Sequence, residues 1–182
     1  IKRQFVNDVK DNSIADKILE AIKMRGLNAG HEKEYSSWQN SMQFMRNIVD
    51  DSDIDDEVRI CIEYNIPLTS KRVDFIIAGA DNYGKDNIVI VELKQWQKAE
   101  VVADDMHYCV RTYVANSDRI VCHPSYQAYS YSCFLRNYSQ SLTDEDISLI
   151  PCAYLHNYQP EYRQTLSNPI YKEWTGLAPF FI

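Results

Sequence analysis

Residues 71–97, KRVDFIIAGADNYGKDNIVIVELKQWQ, constrain the fold more than any other part of the chain. Two apolar, β-branched runs flank ADNYGKD, a segment rich in residues that turn a backbone. The pattern predicts an antiparallel hairpin with strands over 71–79 and 87–95. Side chains alternate across a strand. Glu92 and Lys94 therefore share a face with Ile88 and Ile90, while Val89, Val91 and Leu93 point the other way. On the partner strand Asp74 shares a face with Ile76. A turn centred near Tyr83 sets Asp74 opposite Glu92, with Cβ atoms ~4.5–5.5 Å apart. A one-residue slip would send them to opposite faces.

Two carboxylates at that range repel, and one takes up a proton unless something positive lies between them. A divalent cation would serve, since Mg²⁺ is commonly held by one or two carboxylates plus water. Lys94 stands one pleat further on, placed to hold a water or a phosphate. Such a group suits metal-assisted phosphodiester hydrolysis. Spacing alone leaves the alternative of a plain lysine–carboxylate cluster at a sheet end.

The rest of the chain supplies elements around this hairpin. NSIADKILEAIKMRG carries Ile14, Ile18, Leu19 and Ile22 at helical spacing, with Asn12 or Ser13 as cap and Gly26 as stop. A second helix fits HEKEYSSWQNSMQFMRNIVDD, residues 31–51, with Tyr35, Trp38, Met42, Met45 and Val49 as one stripe and Glu34 beside it. The acidic run DDSDIDDE (50–57) reads as a solvated loop. EVRICIEYNIP (57–67) reads as a strand and completes a three-stranded antiparallel meander. MHYCVRTYVANSDRIVCHP predicts two short strands around NSD. Pro124 then opens a helix over SYQAYSYSCFLRNYSQSL, with Tyr126, Tyr129, Cys133 and Leu135 or Tyr138 inward. DISLIPCAYLHNY (146–158) predicts a buried strand, and the tail reads as short helices broken at Pro169.

The length of 182 residues fits one domain. A net charge of −7, from 26 acidic and 19 basic residues, argues against a general nucleic-acid binder but not against an enzyme acting on one. The five cysteines are odd in number and form no CxxC pair, which argues against a disulfide framework or zinc site. Reduced thiols in a cytoplasmic protein are the expectation. No run approaches the roughly 18 apolar residues of a membrane span, so no membrane partner is expected. The chain lacks an initiator Met and ends abruptly at APFFI, and it reads as a piece of a longer protein.

Asp74 followed by Glu92-Leu93-Lys94 resembles the signature of the PD-(D/E)XK nuclease superfamily, with Val73 where Pro would stand. QAYSY supplies Gln127-x-x-x-Tyr131, similar to the Q-x-x-x-Y motif of RecB-like members; i and i+4 share a helix face. The wider string IPLTSKRVDFIIAG…IVIVELKQW…HPSYQAYSY resembles the nuclease-like domain that precedes a Schlafen-like superfamily 1 helicase/ATPase domain in bacterial proteins. That resemblance runs from about residue 5 to the C-terminus.

The resemblance implies an α/β, restriction-endonuclease-like core: a central mixed sheet with an antiparallel meander, flanked by helices, as one domain over 1–182. It implies a Mg²⁺- or Mn²⁺-dependent nuclease. Asp74, Glu92 and the Leu93 carbonyl would ligate the ion, with Glu34 as an outer or second-metal ligand. Glu34 is favoured over Glu32 because it precedes Trp38 by one turn. Lys94 would position the attacking water. Gln127 and Tyr131 would face the active site and the DNA backbone, and Lys71 and Arg72 would meet phosphates. Gln95 would orient a water or the scissile phosphate. Trp96 would stack on a base or plug the sheet, and His123 would touch phosphate or be a satisfied loop histidine. The implied partners are DNA, with RNA as an alternative substrate, and a helicase/ATPase domain beyond Ile182. Phage defence or DNA repair would suit such a fusion. The alternative is a nuclease-fold module that binds nucleic acid or docks on a helicase without cutting.

Overall fold

The computed structural model describes residues 1–27, 32–140, 142, 145 and 147–182. Three helices come first: α1 (Lys2–Lys10), α2 (Ile14–Met24) and α3 (Glu32–Val49). Helix α1 has no counterpart in the sequence reading, because its apolar content is only Phe5, Val6 and Val9, one narrow buried face. Helix α2 buries Ile14, Ile18 and Ile22 and ends before Gly26, whose φ of +67° suits a residue without a Cβ. Helix α3 buries Trp38, Met42, Met45 and Val49 as its spacing predicts; His31, at the start of the expected helix, lies outside the described residues.

The meander forms as expected from β1 (Arg59–Asn65), β2 (Arg72–Ala80) and β3 (Asp86–Leu93), all antiparallel. Asp81 builds the β2–β3 turn. Its carboxylate accepts from Tyr83 N at 2.9 Å and Lys85 N at 3.0 Å, and Gly84 supplies a φ of +77°. This turn sets the register from Ala80↔Asp86 to Phe75↔Val91, so Asp74 and Glu92 are the next opposed pair.

A second, antiparallel sheet follows, of β4 (Glu100–Val101), β5 (Cys109–Val114) and β6 (Ser117–Cys122). Helix α4 (Pro124–Tyr138) then leads to β7 (Ser148–Tyr154), which pairs parallel to β3. The tail holds α5 (Arg163–Leu166), α6 (Lys172–Leu177) and β8 (Phe180–Phe181), the last parallel to β7. Pro169 opens a short 3₁₀ turn capped by Asn168. The main sheet runs β1-β2-β3-β7-β8 and is mixed. Helices α1–α3 cover one face, over Phe75, Val91 and Leu93. Helix α4 covers the other, over Ile76 and Ile90. Each such fully buried side chain contributes ~1.5–3 kcal/mol. A third core joins the small sheet to the tail through Val110, Leu155, Leu166 and Tyr171.

The inward face of α4 differs from the expected one. Ser125, Ala128, Tyr131, Ser132 and Leu135 are buried. Tyr126 and Tyr129 instead pack against Trp174, with ring centroids 4.9 and 6.2 Å away, and Tyr138 is exposed. The small residues let α4 lie close to the sheet. Among the described residues, no helix is long and apolar enough to cross a membrane.

The acidic run 50–57 is tethered as well as solvated. Lys2, only 4% exposed, donates to the carbonyls of Asp51 (2.7 Å) and Ile54 and pairs with Asp56 at 3.2 Å. Lys2→Met leaves those carbonyls without their donor and is expected to cost about 1–3 kcal/mol. An unchanged urea midpoint would remove Lys2 from the stabilising contacts.

Candidate active site

Asp74 comes from β2, Glu92 from β3, Lys94 from the residue just past β3, and Gln127 and Tyr131 from one face of α4. Glu92 is 1% exposed. Its Oε1 accepts from Lys94 Nζ and from Gln127 Nε2, the latter at 2.7 Å. Gln127 also donates to Tyr131 Oη at 2.9 Å and accepts from Lys94 Nζ at 3.2 Å. Asp74 Oδ2 accepts from Leu93 N at 2.8 Å. Glu92 Oε2 is buried and accepts from no N–H donor among the described residues; the group facing it is the Asp74 carboxyl. Asp74, Glu92, Lys94 and Gln127 wall a cavity of about 220 Å³.

The electrostatics follow from burial and proximity. Desolvation lifts the Glu92 pKa to about 8, with the Asp74 charge adding to the rise and Lys94 opposing it. Desolvation also raises Asp74, against Lys94 and the Leu93 N–H. Burial pulls Lys94 down, but Glu92 and Asp74 outweigh it and hold Lys94 above its ordinary value. At neutral pH the carboxyl pair therefore shares a proton while Lys94 stays charged.

Glu63 is a site residue that the sequence reading missed. It lies in β1 between the pairs Ile62↔Phe75 and Tyr64↔Val73, hence opposite Asp74. Its φ of 52° is a left-handed conformation that few residues with a Cβ adopt, and the Glu63 pair drops out of the ladder. Burial raises its pKa to about 7, with Asp74 adding and Arg72 and the Trp38 bond opposing. Trp38 Nε1 donates to its Oε1 at 2.8 Å. The signal was available: an acid inside CIEYN, a run otherwise fit for burial, resembles Asp74 in kind.

The other expected site residues divide. Glu34 reaches the cleft beside Asp74 and accepts from Arg72 Nη2 at 2.9 Å; Glu32 lines a separate hollow. Arg72 also bonds Glu63 through Nη1 at 3.1 Å, so it bridges two acids. Lys71 is exposed at the rim of the same cleft. Gln95 is drawn away from the carboxyl pair. Its Nε2 donates to Ser37 Oγ (2.6 Å), Ser37 O (3.0 Å) and Ser41 Oγ (2.9 Å), stitching the end of β3 to α3.

Burial decides between the alternatives for Trp96 and His123, against a nucleic-acid contact for either. Trp96, 8% exposed, packs in the core with Ala153 and Leu155 and plugs the sheet, which leaves no free face for a base. His123 is fully buried as the N-cap of α4. Its Nδ1 accepts from Ser125 N (3.2 Å), so Nε2 carries the proton and donates to Leu166 O (3.1 Å). Burial lowers its pKa to about 4, so it is neutral near pH 7 and has no arm free for phosphate.

Among the described residues no group of three or more His, Cys, Asp and Glu side chains is arranged to hold a metal. Asp74 and Glu92 are two facing carboxyls, one with a buried oxygen that no N–H donor among the described residues reaches. That set fits Mg²⁺ or Mn²⁺, which need few protein ligands and complete their shell with water and phosphate oxygens. Comparison with family models, with curated proteins and with solved structures finds no match to this chain.

Proposed function

We propose that this chain is a divalent-cation-dependent nuclease domain of the PD-(D/E)XK type, with a restriction-endonuclease-like core, that hydrolyses DNA phosphodiester bonds. One observation carries the reading. Asp74 and Glu92 stand opposed in a polar cavity, Lys94 and Gln127 are bonded to one oxygen of Glu92, and the other oxygen is buried with only the Asp74 carboxyl as its polar neighbour among the described residues.

Asp74 and Glu92 would hold Mg²⁺ or Mn²⁺, with the Leu93 carbonyl as a third donor and Glu34 further out. When bound, such an ion polarises a phosphoryl oxygen and makes water more acidic. Lys94 keeps its proton and offers a fixed positive charge to the attacking water and to the oxygens on which charge builds. Gln127 is a positioning residue: its amide bonds both Glu92 and Lys94, and Tyr131 backs it. Lys71 at the rim is placed to meet a backbone phosphate. The net charge of −7 opposes capture of DNA from afar. Delivery of the strand by a helicase/ATPase domain of the same protein would overcome this.

The test is incubation of single- and double-stranded DNA, and of RNA, with Mg²⁺, Mn²⁺ or EDTA. Cleavage of DNA should require the cation and vanish in Asp74→Asn. A folded protein that cuts nothing and takes up no Mn²⁺ at millimolar concentration by calorimetry is instead a docking or binding module.

A further inference from the structure

Strands β5 and β6 set Cys109 directly opposite Cys122. The hydrogen-bond pattern says which kind of pair this is. His123 N donates to Tyr108 O at 2.8 Å, so Tyr108 and His123 form a hydrogen-bonded pair, and the next pair along, Cys109 and Cys122, is of the non-hydrogen-bonded kind. Opposed Cα atoms there lie ~4.5 Å apart with side chains on the same face. That separation falls within the range disulfides adopt. Both thiols are free, Cys122 exposed and Cys109 half-buried. The other three cysteines are not so placed: Cys61 lies opposite Ile76, Cys152 beside Val91, and Cys133 on helix α4. Cys122 also directly precedes His123, the cap of the helix that carries Gln127.

We propose that Cys109 and Cys122 form a reversible dithiol–disulfide pair at the entry to helix α4, closed by a small-molecule disulfide of the glutathione class. The exposed Cys122 thiolate attacks one sulfur of glutathione disulfide, forming a mixed disulfide and releasing one glutathione thiolate. The Cys109 thiolate then attacks the Cys122 sulfur, forming the cross-strand bond and releasing the second glutathione. The two protons lost by the cysteines end on the two glutathiones, and the two electrons reduce the added disulfide. Burial and the nearby Cys122 raise the pKa of Cys109, which makes it the slower, resolving thiol. An exposed disulfide of this kind opens again under a reducing thiol.

The experiment treats the protein with excess glutathione disulfide and counts thiols after denaturation. The count should fall from five to three and return to five with dithiothreitol. Non-reducing peptide mapping should join Cys109 to Cys122, with the linked peptides lighter by two hydrogens. In Cys109→Ser the reaction should stop at a mixed disulfide on Cys122. A count that stays at five, a stable adduct on Cys122 with Cys109 free in the unaltered chain, or a bond to another cysteine overturns the proposal. The measurement on the unaltered chain depends neither on a variant folding nor on nuclease activity.

Discussion

Lys94→Ala is expected to slow cation-dependent DNA cleavage by about 10²–10³-fold, the usual loss when one preorganised charge-stabilising donor is removed. Among the described residues Lys94 pairs with Glu92, and it also reaches Gln127 at 3.2 Å. Removing it withdraws the positive group from the pocket and frees Gln127 to turn. Lys94→Arg should not restore the rate, because a planar guanidinium is wider than an ammonium and fits a different set of acceptors. Single-turnover cleavage, with thermal melting to confirm the fold, measures both. A folded Lys94→Ala variant that cuts at the unaltered rate removes Lys94 from the mechanism.

Glu92→Gln should alter the pH dependence of stability in the cation-free protein. The folded-state pKa of Glu92, about 8, lies above its ordinary value of 4.5. The folded state thus keeps a proton that the unfolded chain has released. Its contribution is complete below about pH 4.5 and is lost as pH climbs to about 8. Above that, the charged carboxyl should cost on the order of 5 kcal/mol. Glutamine cannot ionise, so the variant should gain on the unaltered chain by that amount between pH 5 and 9 in EDTA. His123 slopes the other way, its neutral form stabilising above pH 6.5 and failing toward pH 4. Because His123 is common to both proteins, the difference curve reports the coupled Glu92–Asp74 pair. Mn²⁺ should restore the unaltered chain at high pH and leave Glu92→Gln little changed. Parallel urea-denaturation curves for the two proteins across this range would show that Glu92 is not strained by its charge.

How much of this was legible in the sequence depended on how local each signal was. The hairpin and its register follow from Asp81, Gly84 and a strict alternation, all within one short segment. The pairing of Asp74 with Glu92 came with them. The face shared by Gln127 and Tyr131 needs only the helical repeat. Glu63 escaped because its left-handed φ breaks the alternation used to read strands. The inward side of α4 was misread because its tyrosines outweigh Ala128, Ser125 and Ser132 in any hydrophobic pattern. What settles the face is Trp174, far along the chain, which takes Tyr126 and Tyr129. His123 is likewise decided by Leu166 O, 43 residues away. Strand β8 has two residues, too few for any period.

The parallel pairing of β3 with β7 has a consequence for biosynthesis. The acids and Lys94 are made early, but Lys94 N is held by Tyr154 O at 3.0 Å, and β7 closes the edge of β3. A nascent chain that has reached only Gln127 carries every polar group of the cavity and still has an open β3 edge. Folding of this centre must wait for a distant strand, as expected where non-local pairing governs the rate. Until then the growing polypeptide presents β3 as an unprotected, apolar edge, the state most exposed to misassociation on the ribosome.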